Sequence, residues 1–310
     1  MILAGIDEAG YGPLLGPLAV GLSAFRVEGR DPPGSLRRAL DPRRHGVRVG
    51  DSKAIHHPAR GVGPLEGHVL AVLAARDGAA PEDGAGLFAA LGIPPPPADH
   101  PWYEFLPARA LPLAADRADI EHRGAALARA LREEAVSLAL LRARVLPEGR
   151  FNEAVALAGT KSAVLFDESA ALVEAALSLG DGEPLEVHCD RQGARARYAA
   201  LLQARFPDRL VRILREGPAA SAYDLGGRFP ALVRFEVKAD ARSPATGLAS
   251  MAAKYLREVW MESLNAWILR GAPGVRPTAG YWTDGIRFLR ETGEARRRRG
   301  VDEALLVRRR

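Results

Sequence analysis

The chain alternates between short apolar runs and segments in which apolar residues recur at helical spacing. Residues 2–6, ILAGI, are uniformly apolar and predict a short buried strand. Residues 17–27, PLAVGLSAFRV, predict a second strand with partial alternation, and the short Gly/Pro-rich link before it predicts an antiparallel pair. Residues 65–76 are compatible with one helix. From 116 to 143 helical spacing returns, with Ile120, Leu127, Leu131 and Leu138 on one side. Residues 142–146 and Phe151-Asn152 suggest a further strand and its exit. Ser162 to Leu179 predicts a helix that Gly180 stops. A strand–helix–strand series follows: a strand over 185–189, a helix over 194–206, and strands over 209–214 and 231–237. A long helix over 246–269 carries Leu248, Met251, Ala252, Tyr255, Leu256 and Val259 at core spacing. The order predicts an α/β fold.

Residues 55–115 break this regularity. They hold ten of the 23 prolines, including Pro94 to Pro97, and so predict loop or a small inserted subdomain. The expected organisation is a catalytic domain over 1–265, with 55–115 as an irregular insertion, followed by a helical extension over 266–310 with a basic tail. The last 20 residues hold seven arginines against four acids. The RRRR run at 296–299 suits a nucleic-acid backbone, although basic tails are usually only solvated.

The net charge of +5 and pI near 9.6 favour a polyanionic partner, but only mildly. A single cysteine, Cys189, excludes an internal disulfide and a multi-cysteine zinc cluster and fits a reducing, cytoplasmic setting. Acids at position 7 rule against a signal peptide, and no run approaches the roughly 18 apolar residues of a membrane span.

The candidate chemistry lies where apolar strands end in acids. Ile2–Ile6 runs into Asp7-Glu8, Leu185–Cys189 into Asp190, and Ala231–Val237 is followed by Asp240. Strand ends are where side chains converge in α/β sheets. Four carboxylates gathered there repel one another unless a hard divalent cation, Mg²⁺ or Mn²⁺, neutralises them. Two such ions suit phosphodiester hydrolysis by a metal-activated water. Each acid taken alone is also a plausible cap or turn residue. His56-His57 lack a ligand spacing and read as a solvated loop.

Several segments resemble ribonuclease HII. GIDEAGYGPLLGPLAVG is similar to the family's opening signature, Gly50-Asp51-Ser52-Lys53 to its D-S-K segment, and VKADARSPATGLASMAAKYLRE at 237–258 to its K-G-D and following helix. Ala279-Gly280-Tyr281-Trp282-Thr283 echoes a later K-G-Y-x-T motif. The resemblance implies a ribonuclease-H-like mixed sheet flanked by helices. It implies an endonuclease that uses Mg²⁺ or Mn²⁺ to cut the RNA strand of RNA–DNA hybrids, or at embedded ribonucleotides. It places Asp7, Glu8, Asp190 and Asp240 as catalytic metal ligands. Gly10, Tyr11, Gly12, Ser52, Lys53, Ser250, Lys254 and Tyr281 fall at substrate-binding positions. Tyr11 stands where the family's turn carries Arg or Lys, Ala54 where a second Lys is common, and Trp282 where a small residue or Pro is usual. Lys53 and Lys254 read as phosphate contacts or as ion-pair partners of the acids. Three readings stand side by side: an active hybrid-cutting ribonuclease, a fold paralogue with another nucleic-acid substrate, and a nucleic-acid-binding module with an inactive site.

Overall fold

The computed structural model describes residues 1–50, 55, 61–180 and 182–309. Its centre is a seven-stranded mixed sheet made of β1 (Ile2–Ala9), β2 (Leu18–Val27), β3 (Val136–Leu146), β4 (Leu185–Asp190), β5 (Arg212–Arg215), β6 (Ala220–Asp224) and β7 (Ala231–Glu236). The spatial order is β3-β2-β1-β4-β7-β6-β5. β1, β4 and β7 are mutually parallel neighbours, while β2, β3, β6 and β5 join by antiparallel pairing. The three parallel strands therefore end side by side at one edge of the sheet, and all three run into acids.

Alternation along β1 divides the core. Ile2, Ala4 and Ile6 face a cluster built with helices Lys161–Leu179 and Ala199–Arg205. Leu3 belongs to the cluster on the other face, which packs around the helix Pro244–Leu269. That long helix begins with Ser243 as its N-cap and Pro244 in its first turn. It crosses β1 and β2 over two glycines. A Cβ on Gly5 would fall on the Thr246 backbone nitrogen, and one on Gly21 on the Ala249 carbonyl. Only residues without a side chain permit this approach. Ser23 Oγ donates to Ala245 O at 2.7 Å and Thr246 Oγ1 to His188 O at 3.0 Å, which fixes the first helical turn against β2 and β4.

Several elements differ from their sequence expectations. β1 continues through Asp7 and Glu8 to Ala9, because Glu8 still pairs with Val20. The helix expected over 116–143 is Arg117–Glu133, and it stops before Ala135, which takes a φ of 51°. The remainder is β3, where VSLALLRARVL pairs along β2; the edge of the sheet outweighs the helical spacing that reached Leu138. Phe151-Asn152 lie in a helix, Glu148–Ala158, rather than at a strand exit. The helix expected over 194–206 forms only at Ala199–Arg205, and β6 was not foreseen.

Residues 61–115 hold helices Gly63–Asp77 and Gly84–Leu91 and the short turn Pro101–Tyr103. Their apolar side chains join the same core cluster as the long helix. Glu66, fully buried, accepts from the amides of Leu113, Ala114 and Ala115 and from the Tyr255 hydroxyl, which ties this region to the long helix. The segment after residue 270 is likewise folded onto the body. Arg296 is buried and bonds Glu303, Thr292 and the Leu289 carbonyl, and Arg299 lies 3.2 Å over the Trp267 ring. Arg296 is thus a packing residue rather than part of a solvated tail, while Arg299 lays an exposed side chain across Trp267. Among the described residues no helix is long and apolar enough to cross a membrane.

Candidate active site

A cleft of about 220 Å³ opens across the ends of the parallel strands. It is lined by Asp7, Glu8, Ala9, Gly10, Asp190, Lys238, Asp240, Ser250, Lys254, Arg257 and Tyr281. The four acids, from three places far apart in sequence, thus line one cleft. Register explains the first two: Ile6 pairs with Cys189, so Asp7 and Asp190 leave adjacent parallel strands side by side. Adjacent strand residues point to opposite faces, so Glu8 reaches the cleft only because the cleft lies over the end of β1 rather than on one face. Asp240 arrives on a one-turn helix, Ala239–Ala241, entered through Lys238 at a φ of 56°. That left-handed backbone at a non-glycine residue is a strained feature of the kind that gathers at functional sites.

Each aspartate is aimed by a backbone amide: the following residue's for Asp7 and Asp240, and that of Ala239 for Asp190. Asp7 Oδ1 accepts from Glu8 N at 2.8 Å, Asp190 Oδ1 from Ala239 N at 2.9 Å, and Asp240 Oδ1 from Ala241 N at 2.9 Å. The pattern fixes one oxygen of each carboxylate. Among the described residues, no three His, Cys, Asp or Glu side chains stand close enough to enclose an ion. Burial, then the charges of Asp190 and Asp240, push the Asp7 carboxyl up to about 7, against a hydrogen bond from Ser250 and the Glu8 amide, which favour its charged form. A buried carboxylate facing two others is the electrostatic condition that a cation relieves. The donors are all oxygen, which suits Mg²⁺ or Mn²⁺ rather than a soft metal.

The cleft also holds cations. Ser250, Lys254 and Arg257 sit at i, i+4 and i+7 on the long helix and share one face. Lys254 lies 3.9 Å from Glu258. Arg257 is buried, and its guanidinium donates to the carbonyls of Pro17, Leu15 and Ala279 at 3.1, 3.2 and 2.8 Å. It therefore joins the loop after β1 to the loop before Tyr281. Tyr281, 56% exposed, stands at the rim with its ring 6.0 Å from that guanidinium. Lys238 and Arg257 were not singled out from the sequence as site residues. The i+7 spacing from Ser250 carried the signal for Arg257.

Gly10 lines the cleft, but Tyr11 and Gly12 do not. The Tyr11 side chain packs against the core cluster on the opposite face of the sheet instead of standing in the cleft. Ser52 and Lys53 lie outside the described residues; Gly50, just before them, lies against the long helix, where a Cβ on Gly247 would come 2.7 Å from the Gly50 Cα.

No known family model matches the sequence, and a comparison with curated proteins finds no match. Among solved structures, the chain is similar to RNase HII of Archaeoglobus fulgidus, determined in complex with PCNA, at 18% identity and a TM-score of 0.47, with 100% of this chain and 95% of that one covered. It is similar to ribonuclease H2 of Pyrococcus horikoshii OT3 at 15% identity and a TM-score of 0.48, covering 99% and 92%. Bst-RNase HIII in complex with Mn²⁺ aligns at 14% identity and a TM-score of 0.39, covering 99% of this chain and 66% of that one. The mixed seven-stranded sheet, with helices on both faces and three parallel strands ending together, is the mixed α/β sheet flanked by helices that the resemblance implied.

Proposed function

We propose that the chain is a divalent-metal-dependent endonuclease that hydrolyses the RNA strand of RNA–DNA hybrids, or cuts at ribonucleotides embedded in DNA. The observation that carries this reading is the convergence of Asp7, Glu8, Asp190 and Asp240 in one cleft with Lys238, Lys254 and Arg257 around them. The sequence resemblance supports the same reading. Asp7, Glu8, Asp190 and Asp240 would hold Mg²⁺ or Mn²⁺, whose chemistry is to acidify a bound water and to stabilise charge on a phosphodiester. Mg²⁺ takes only one or two carboxylates directly and keeps waters in its shell, so an open set of acids suits it. Ser250 holds the Asp7 carboxylate in place through its hydrogen bond. Lys238 and Lys254 oppose the repulsion between the acids and an incoming phosphate chain, and Tyr281 offers an exposed ring to a sugar or base at the rim.

The test is cleavage of three labelled substrates: an RNA–DNA hybrid, DNA with one embedded ribonucleotide, and plain DNA, each with Mg²⁺, Mn²⁺ or EDTA. Metal-dependent cleavage of the first or second, with plain DNA intact, is the expected outcome. Cleavage of plain DNA alone would move the substrate to another nucleic acid. Binding without cleavage under every condition would leave a binding module.

The residue at position 11 supplies a second expectation. A Tyr11→Arg variant exchanges a ring packed against the core for a long side chain whose charge must reach solvent beside the turn. The salt dependence of its binding to a hybrid, measured with Ca²⁺ in place of Mg²⁺, is expected to steepen by roughly 0.9 in log–log slope, one phosphate's worth. Equal slopes would mean that position 11 never approaches the backbone.

A further inference from the structure

The turn after β1 is held from inside the protein by a residue almost three hundred positions away. Arg308 is 2% exposed, and its guanidinium lies 3.7 Å over the Phe151 ring. One terminal nitrogen donates to the Gly10 carbonyl, and the other donates to the Tyr11 carbonyl at 3.1 Å. The segment that carries it is itself fastened. Arg308 N donates to Leu14 O at 2.9 Å, Arg309 N to Asn152 Oδ1 at 2.7 Å, and Asn152 Nδ2 to the carbonyls of Ala304 and Val307. Glu148, fully buried below the same loop, accepts from Gly16 N at 2.9 Å and from the Tyr103 hydroxyl at 3.0 Å.

This arrangement has a geometric consequence. In a planar trans peptide the carbonyl and the following N–H point in opposite directions. Two carbonyls turned inward to a buried guanidinium therefore turn the Tyr11 and Gly12 amides outward. Among the described residues neither amide has an acceptor, and a Cβ built on Gly12 meets nothing within 4 Å. Gly10 permits the turn at a φ of 86°, where a Cβ would strike the Pro17 carbonyl. Successive outward amides form an anion-receiving concavity, and a cation behind them strengthens it.

We propose that Arg308 is a positioning residue that aims the Tyr11 and Gly12 amides at a phosphate oxygen and supplies, from beneath the turn, the fixed positive charge that residue 11 does not carry. The proposal rests on the nuclease reading only for the anion's being part of a nucleic-acid backbone. A side chain at 11 is then free to pack against the core, as Tyr11 does, because the charge comes from below.

The experiment compares the parent with Arg308→Gln, Arg308→Lys and, as a control, Arg309→Gln, whose backbone contact to Asn152 is retained. Amide resonances are followed during titration with inorganic phosphate, and KM and kcat are measured on the hybrid beside a thermal melt. The parent is expected to show phosphate-dependent shifts at Tyr11 and Gly12, and Arg308→Gln to lose them. KM should rise about tenfold in Arg308→Gln with kcat within about threefold, because an oriented, charge-supported contact is lost from bound substrate and transition state alike. Arg308→Lys keeps the charge but engages one carbonyl, so it should fall between the two; it decides the matter if the Gln variant does not fold. Arg309→Gln should match the parent. A parent without phosphate shifts at these two amides, or an Arg308 variant that lowers the melting temperature with parental shifts and KM, would overturn the proposal. If the parent cuts no nucleic acid, the nuclease reading fails, while the phosphate titration still decides the role of Arg308.

Discussion

Replacing Asp190 with Asn is expected to abolish divalent-dependent cleavage while nucleic-acid binding stays intact or tightens. The substitution is nearly isosteric. Its carbonyl oxygen can still accept from Ala239 N, as Asp190 Oδ1 does at 2.9 Å, so the end of β4 and the turn carrying Asp240 keep their geometry. What changes is charge. The candidate metal shell loses one of its negative ligands, and Asp7 loses one of the two carboxylates that push its own pKa up. Removing even an outer partner of a metal ligand typically costs 10- to 100-fold in metal affinity or activity, so loss of a direct ligand should exceed roughly 100-fold. Binding moves the other way, because one fewer acid repels the phosphate chain. The check is the single-turnover rate at saturating Mg²⁺ beside the dissociation constant for the same hybrid in Ca²⁺. An Asp190→Asn protein that cuts at the parental rate would remove Asp190 from the ligand set, and with it the four-acid reading.

Gly5→Ala should destabilise the whole protein, although it adds one methyl group to a strand. The new Cβ falls on the Thr246 backbone nitrogen and beside the Ala245 carbonyl carbon. Backbone, unlike the tip of a flexible side chain, cannot step aside. Here it is also pinned by Ser23 to Ala245 O and by Thr246 to His188 O. Overpacking usually costs 1–3 kcal/mol, and a clash with fixed backbone belongs at or above about 3 kcal/mol. That is a large share of the roughly 5–15 kcal/mol that holds a typical domain together. The matched control is Gly12→Ala, where nothing lies within 4 Å and the change should stay within about 0.5 kcal/mol. Denaturant midpoints for the three proteins measure both effects. Any Gly5→Ala protein that folds should also cut poorly, because a displaced helix draws Ser250 away from Asp7. A Gly5→Ala midpoint equal to the parent's would mean that the long helix does not ride on β1 at this point.

The sequence by itself determined which strands would carry acids. An apolar run ending in Asp7, and two segments with apolar residues at alternate positions, LEVHC before Asp190 and ALVRFEV before Asp240, are visible without coordinates, because a strand shows its buried faces as continuous or alternating apolar positions. The long helix was legible for a similar reason: its apolar face repeats over many turns, so a boundary error of two residues at its start hardly matters. The Ser250–Lys254 spacing belonged to that helix and placed both residues on one face.

Other features required the tertiary structure. The fate of residues 134–143 turned on β2, whose open edge offered hydrogen bonds that a longer helix could not match. The meeting of Asp7 with Asp190 depends on β1 and β4 being parallel neighbours in one register, a pairing that neither strand encodes alone. Whether the arginines of the last segment were solvated or structural depended on what lay opposite them: the face of Trp267 for the exposed Arg299, Glu303 for the buried Arg296, and two carbonyls of the first turn for the buried Arg308. An arginine reads the same in sequence in all three settings. Only the fold supplies the buried acceptors that turn a basic tail into the support beneath the candidate active site, because a guanidinium leaves water only where fixed oxygens replace its hydration.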